Sequence, residues 1–202
     1  MIKNIIFDMG KVLIQFDPLV FMQRTEVAPE DRELLLREVY NSLEWAKMDR
    51  GTLSDAEAAD IMCSRLPERL HEKVHRLVDR WDRPIIPVEG MAELIKELKA
   101  AGYKIFLLSN ASIRQHLYWP HIPGSEFFDG TMISADEKLV KPQFEIYQRL
   151  FEKFSLNPEE CLFIDDSPMN IEAADCCKMP GIVFHGDTAE LREKMQNFGI
   201  HI

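Results

Sequence analysis

The chain has 202 residues, 46% apolar and 29% charged, which is enough for one domain with a full core or a core carrying a small insertion. Its formal net charge of −10 disfavours non-specific binding to nucleic acid or to anionic membrane surfaces. No apolar run approaches the ~18 residues of a membrane span, and the N-terminus lacks the basic start, short apolar core and small-residue cleavage site of a signal peptide. Residues 2 to 8, Ile-Lys-Asn-Ile-Ile-Phe-Asp, read as a buried first strand that ends on Asp8, with Gly10 just beyond.

Residues 17 to 82 change character. They are rich in Leu, Glu, Arg and Ala at helical spacing and contain no strand-like run. Asp17-Pro18 predicts a helix start, a cap residue followed by proline at the first helical position. Pro29-Glu30 opens a second helix carrying Leu34, Leu35, Val39 and Leu43. Ser54-Asp55-Ala56-Glu57 has the form of a capping box and starts a third. A fourth runs from Glu68 with Leu70, Val74, Leu77, Val78 and Trp81.

Strands and helices then alternate. The pattern predicts a helix from Pro87 to Ala101, closed by Gly102, and a strand from Lys104 to Leu108 that ends in Ser109-Asn110. A turn at Phe127 to Gly130 leads to a short strand near Met132 to Ser134, and Lys141-Pro142 precedes a helix from Gln143 to Phe154. Cys161 to Ile164 is a strand ending in Asp165-Asp166, followed by a helix over 168–177, a strand over 181–184 and a closing helix from Thr188. This order predicts an α/β fold: a Rossmann-like parallel sheet with right-handed crossovers, formed by residues 1–16 and 83–202, with 17–82 inserted as an all-helical cap.

A parallel sheet brings its carboxyl ends to one edge, so Asp8, Ser109-Asn110 and Asp165-Asp166 can converge although far apart in sequence, with Lys141 on a neighbouring loop. A carboxylate can attack an electrophile covalently. Clustered carboxylates repel unless a cation sits among them, and an all-oxygen set suits Mg²⁺. A lysine and a small hydroxyl can orient phosphate oxygens. Together these are the parts that phosphoryl transfer asks of a protein.

These motifs, in this order, resemble the haloacid dehalogenase-like hydrolase superfamily over nearly the whole chain. Phe7-Asp8-Met9-Gly10 is similar to its motif I, Leu107-Leu108-Ser109-Asn110 to motif II, Lys141-Pro142 to motif III, and Ile164-Asp165-Asp166-Ser167 with Asn170 to motif IV. The insertion resembles the cap of subfamily I. The Asp-x-Gly-Lys-Val form of motif I is similar to the branch that includes bacterial glucose-1-phosphate phosphatases. The resemblance implies that Asp8 is the phosphorylated nucleophile. It places Mg²⁺ on Asp8, the Gly10 carbonyl and the Asp165-Asp166 pair, with Asp166 the favoured member, and gives Ser109, Asn110 and Lys141 the phosphoryl group to hold. A small phosphorylated metabolite such as a sugar phosphate is the expected substrate, and the cap is expected to close over it and exclude water.

One departure matters. Phosphatases of this superfamily usually carry a second Asp two residues after the nucleophile, which protonates the leaving alcohol and then activates water. Here that position is Gly10. General acid–base help is worth about 10² to 10⁴-fold, roughly 3 to 5 kcal/mol. Asp17, Glu44 and Asp49 are candidates to replace it. Related dehalogenases also lack the second Asp, and phosphonate hydrolases combine a small residue there with a cap lysine, for which Lys47 is the candidate. The alternatives are therefore a dehalogenase-type hydrolase using the same Asp8, or a non-catalytic binding or regulatory module that has lost its acid.

The remaining features are less specific. Glu44-Trp45 joins a carboxylate to an aromatic platform and is a candidate substrate contact. His116, Tyr118, Trp119 and His121 either rim the cleft or seal the sheet against the cap. Cys63, Cys161, Cys176 and Cys177 lack Cys-x-x-Cys spacing and read as buried free thiols in a reducing cytoplasm, the expected location. The expected assembly is a monomer or weak homodimer.

Overall fold

In the computed structural model, which describes residues 1–202, five strands form one parallel sheet in the order β3-β2-β1-β4-β5. They are β1 (Asn4–Phe7), β2 (Lys104–Ser109), β3 (Gly130–Ile133), β4 (Cys161–Asp165) and β5 (Gly181–Val183). The chain builds outward from β1 to β3, then crosses back to add β4 and β5 on the other side of β1. The strand order therefore reverses between β1 and β4, the place where open α/β sheets hold their ligands. Phe7 pairs with Leu107 on one side and Ile164 on the other, so Asp8 emerges beside Asp165.

Eleven α-helical segments complete the chain. Five belong to the insertion: α1 (Pro18–Arg24), α2 (Arg32–Leu35), α3 (Leu43–Asp49), α4 (Asp55–Ser64) and α5 (His71–Asp79). Six belong to the α/β part: α6 (Met91–Ala100), α7 (Gln115–Tyr118), α8 (Ser134–Glu137), α9 (Phe144–Phe154), α10 (Pro168–Cys176) and α11 (Thr188–Gln196). No helix is long and apolar enough to cross a membrane.

The strands are buried on both faces and alternate accordingly. Ile5, Phe7, Ile105 and Leu107 face the side covered by α6 and α11, with Leu94, Leu98 and Leu191. Ile6, Phe106, Leu108 and Phe163 face α9 and α10, with Tyr147, Leu150 and Ala174. The inserted helices have their own core, in which Met22, Leu35, Met62 and Leu77 are almost fully enclosed. Trp81 packs on both the cap core and the sheet core where the chain returns from the insertion.

The expected start signals operate as read. Asp17 accepts from the Leu19 amide at 2.8 Å, and Ser54 and Glu57 form both bonds of a capping box. Several boundaries differ from expectation: the first strand is shorter than 2–8, and the helix expected from Glu68 begins at His71 after a 3₁₀ turn. The segment after Pro29 is a 3₁₀ turn, then α2, then a π turn over Leu36–Tyr40; Leu43 leaves that face, opens α3 behind the Ser42 cap, and is exposed. The helix expected from Pro87 begins only at Met91, because 86–88 pair with the outgoing chain instead: Gln15 donates to Ile86 O at 2.8 Å and Val88 to Leu13 O at 2.9 Å. This short antiparallel stitch ties together the two chain crossings between sheet and cap. The third strand ends at Ile133, so Ser134 belongs to α8, and the last strand ends at Val183. Of the four thiols expected to be buried, Cys63 and Cys161 are, but Cys177 is half-buried and Cys176 is exposed in the last turn of α10; all four are free.

Candidate active site

Asp8, one residue past β1, lies at the floor of a cavity of about 260 Å³ between sheet edge and cap. Lys141 organises the floor. Its side chain is 1% exposed, and its ammonium donates to Asp8 Oδ1 at 2.7 Å, Asp165 Oδ2 at 2.7 Å and the Leu108 carbonyl at 3.0 Å. Those acceptors use all three of its N–H bonds. Burial alone would push its pKa down, but the flanking carboxylates of Asp8 and Asp165 outweigh burial and hold it above the ordinary lysine value. Asp8 is pushed up, first by burial and then by the Asp165 charge, with Lys141 pulling it back.

The loop carrying Lys141 is fixed by a reciprocal amide pair. Asn110 Oδ1 accepts from the Lys141 amide at 2.8 Å, and Asn110 Nδ2 donates to the Lys141 carbonyl at 3.0 Å. Asn110 lines the cavity, but its amide is committed to positioning Lys141. Asp165 is fully buried; it accepts from the Ser167 amide at 2.8 Å and from Asn170 Nδ2, which lies 3.0 Å from each of its oxygens. Asn170 therefore orients Asp165 and not Asp166. Asp166 keeps its carboxylate at the cavity wall, 3.4 Å from Lys11 Nζ. Asp8, Asp165 and Asp166 place one carboxylate oxygen each within 4.8 Å of one another.

Two other expected contacts lie outside the cavity lining. Ser109, at the end of β2, has zero exposure; its Oγ has no hydrogen-bond partner and does not reach the cavity, which opens one residue later at Asn110 and Ala111. Glu44 does not face the cavity either. Its carboxylate accepts from Arg65 Nη2 at 2.7 Å on the outer side of the cap, and that guanidinium holds it below the usual carboxylate range. Trp45 and Gly10 line the cavity. Asp17 is occupied as the α1 cap, and Lys47 opens onto a separate groove of about 450 Å³. That groove also reaches Asp49, Asn110 and Lys141.

The cap side of the cavity is aromatic. Phe16 packs edge-on against Trp81 at 5.0 Å and against Trp45 at 6.1 Å, and Trp81 against Tyr118 at 5.1 Å. Met48 and Val78 fill between them. The group expected around Tyr118 splits: Tyr118 is buried against the cavity, Trp119 packs on Phe128 at 5.0 Å, and His116 pairs with Asp136 on the surface at 3.0 Å. Two acidic groups stand within this aromatic wall. Asp49, at the end of α3, makes no hydrogen bond or ion pair through its side chain; burial and then the charges of Asp55 and Asp8 push it up to about 7, with Lys141 pulling it down. Asp55, in the first turn of α4, accepts from Ser112 at 3.3 Å and is pushed up by burial. Lys11, Asp55 and Phe16 also line the cavity; Lys11 stands in motif I and Asp55 in the capping-box stretch, but neither pattern marks a cavity contact, and Phe16 carries no signal of its own.

The haloacid dehalogenase-like hydrolase family matches residues 2–177. The sesquiterpene phosphatase astK of Aspergillus oryzae is 28% identical over 206 residues, covering 98% of this chain and 97% of that protein. A phosphorylated carbohydrates phosphatase of Thermotoga maritima is 25% identical over 175 residues, covering 85% and 80%. Among solved structures, a haloacid dehalogenase-family enzyme from Bacteroides thetaiotaomicron in complex with magnesium and inorganic phosphate superposes with a TM-score of 0.77 at 22% identity, covering 95% of this chain and 99% of that one.

Proposed function

Given that the chain belongs to the haloacid dehalogenase-like hydrolases, we propose that it hydrolyses a small phosphate monoester through a phosphoenzyme on Asp8, with Mg²⁺ as cofactor. The observation that carries this reading is the floor of the cavity. A nucleophilic carboxylate stands at the strand-order switch, held by a buried ammonium, with two further carboxylates beside it. In this reading residues 17–82 are the cap and the remainder is the catalytic body.

The donor set fits the metal. Three carboxylates against one buried ammonium leave excess negative charge, and hard oxygen donors suit Mg²⁺. Asp8, Asp166 and the Gly10 carbonyl would hold it, with Asp165 held in place by Lys141 and Asn170. Bound there, Mg²⁺ would neutralise charge on the phosphoryl oxygens. Lys141 supplies the second positive charge, Asn110 positions Lys141, and Ser109 reaches the phosphoryl group only if its buried hydroxyl turns toward the cavity.

The wall of Phe16, Trp45, Met48, Val78, Trp81 and Tyr118 suits an apolar alcohol as the leaving group. The similarity to a sesquiterpene phosphatase over the whole chain points the same way. A sugar phosphate is the second reading, favoured by the Asp49 and Asp55 carboxylates in that wall and by the similarity to a carbohydrate phosphatase. The test is phosphate release from hexyl and phenethyl phosphates and from hexose phosphates, with Mg²⁺ and with chelator. The expected outcome is Mg²⁺-dependent release, fastest on the apolar esters and lost in Asp8→Asn. Halide release from haloacids without metal would replace this reading with the dehalogenase one. Neither activity would leave the binding module.

A further inference from the structure

We propose that Asp49, delivered by the cap, is the catalytic acid and base that residue 10 does not supply; the assignment rests on the phosphatase reading above. The other candidates are committed elsewhere. Asp17 caps α1, Glu44 is held by Arg65, and Asp55 is bonded to Ser112 with Arg114 Nε 3.9 Å away. The Asp49 side chain is unpartnered, lines the cavity with Asp8, and also lines the groove that reaches Lys141 from the cap loop. It is close enough to Asp8 and Lys141 for both charges to act on it.

Its backbone is locked in place from the sheet side. Ser134, at the start of α8, donates to the Asp49 carbonyl at 2.5 Å, and the same hydroxyl accepts from the Ala111 amide at 2.9 Å. Lys138 donates to the Gly51 carbonyl. Gly51 has φ +69°, and a Cβ there would collide with the Ala135 carbonyl, so the turn after Asp49 lies directly on α8. An acid on a mobile cap would meet the phosphoryl group only on closure, whereas this one is fixed to the second strand's exit. A group poised near neutrality can also give a proton and take one back within a turnover.

The chemistry balances with no further reactant than water. An Asp8 carboxylate oxygen attacks phosphorus, and the P–O bond to the alcohol breaks with its electron pair on the departing oxygen. That oxygen takes the proton of Asp49, leaving a free alcohol, phospho-Asp8 and ionised Asp49. Water then attacks the same phosphorus and gives a proton to Asp49. The P–O bond to Asp8 breaks, its pair returns to the Asp8 carboxylate, and inorganic phosphate leaves. Residue 10 is not barred from this role by lack of room: the nearest atom to a Cβ built there is Phe16 Cβ, at 3.8 Å.

The experiment compares the intact protein with Asp49→Asn and Asp49→Ala, with Mg²⁺, on the best alkyl phosphate of the panel above and on p-nitrophenyl phosphate. On the alkyl ester we expect steady-state release to fall about 10² to 10⁴-fold. On p-nitrophenyl phosphate, whose leaving group needs little protonation, the first turnover survives and the second step stalls. One equivalent of nitrophenolate then appears as a burst, and phosphorylated protein accumulates by intact mass. Adding Gly10→Asp to Asp49→Asn is expected to restore part of the alkyl activity. Retention of alkyl activity within about threefold in both variants would overturn the assignment, as would equal loss on both esters with no burst, which marks a residue that only shapes the site. A wild-type protein that releases no phosphate would instead overturn the phosphatase reading, and this assignment with it.

Discussion

The cap carries two populations of carboxylates, and they are treated in opposite ways. On its outer side three acids are paired with arginine: Asp31 takes both nitrogens of Arg69 at 2.5 and 2.7 Å, Glu38 takes Arg37 and Arg65 at 2.9 Å each, and Glu44 takes Arg65 at 2.7 Å. All three are held below the usual carboxylate range by those guanidinium bonds. On its inner side Asp49 has no partner, and Asp55 has the Ser112 hydroxyl at 3.3 Å and Arg114 Nε only at 3.9 Å; both are pushed up by burial. Paired acids favour the fold at neutral pH. An unpaired, partly buried acid works against it, so its presence beside Asp8 points to chemistry.

Three variants sharpen or break this comparison. The largest effect is expected at Lys141, the buried cation that joins Asp8 and Asp165. Lys141→Met leaves Asp8 and Asp165 facing each other in the sheet edge, and unfolding in urea with chelator present should show a loss of about 3–5 kcal/mol at neutral pH. A loss below about 1 kcal/mol would mean that the floor carboxylates do not depend on it.

Asp49→Asn should move the other way. The folded protein holds this acid at about 7 against an ordinary 3.8. The folded state therefore binds more proton than the unfolded chain between those values, and the group's contribution to stability falls as pH rises through that window. Asparagine does not titrate. The variant should match wild type near pH 4 and exceed it by about 1–2 kcal/mol at pH 8, a figure reduced for the carboxylate's partial exposure. Equal stability at both pH values would remove the contrast between the two populations.

The smallest effect is expected at Arg69→Ala. Asp31 is depressed, so its pairing stabilises the fold above the ordinary carboxylate range and is lost as pH falls through the depressed value. The variant should be weaker than wild type at pH 7, and its acid-unfolding transition should begin at higher pH. Transitions that coincide would place Asp31 among the acids that do nothing for stability.

Which acids fall into which population was only partly legible in the sequence. Asp8 and Asp165-Asp166 were legible because each ends an apolar run that only a buried strand explains, and strand ends of a parallel sheet share an edge. Asp17-Pro18 and Ser54 with Glu57 were legible because capping is a local hydrogen bond between near neighbours. Glu44 and Asp49 were not separable. They lie on one short helix, five residues apart, which turns them about 140° from each other, and only packing decides which faces Arg65 and which faces Asp8. Ser109 followed motif order to the right strand end, but burial of its hydroxyl depends on where the cavity begins. The pairing of Asn110 with Lys141, and of Ser134 with Asp49, links segments that no periodicity connects.

That last link has a mechanical consequence. Two chain crossings, stitched together at residues 13–15 and 86–88, would leave the insertion free to swing like a door on one hinge. The turn of Asp49, Arg50 and Gly51 seated on α8 is a latch on the free edge of that door. Held at both edges, the insertion is expected to shift little against the sheet instead of closing as a free lid. A ligand of the cavity then meets the fixed contour of Phe16, Trp45 and Trp81.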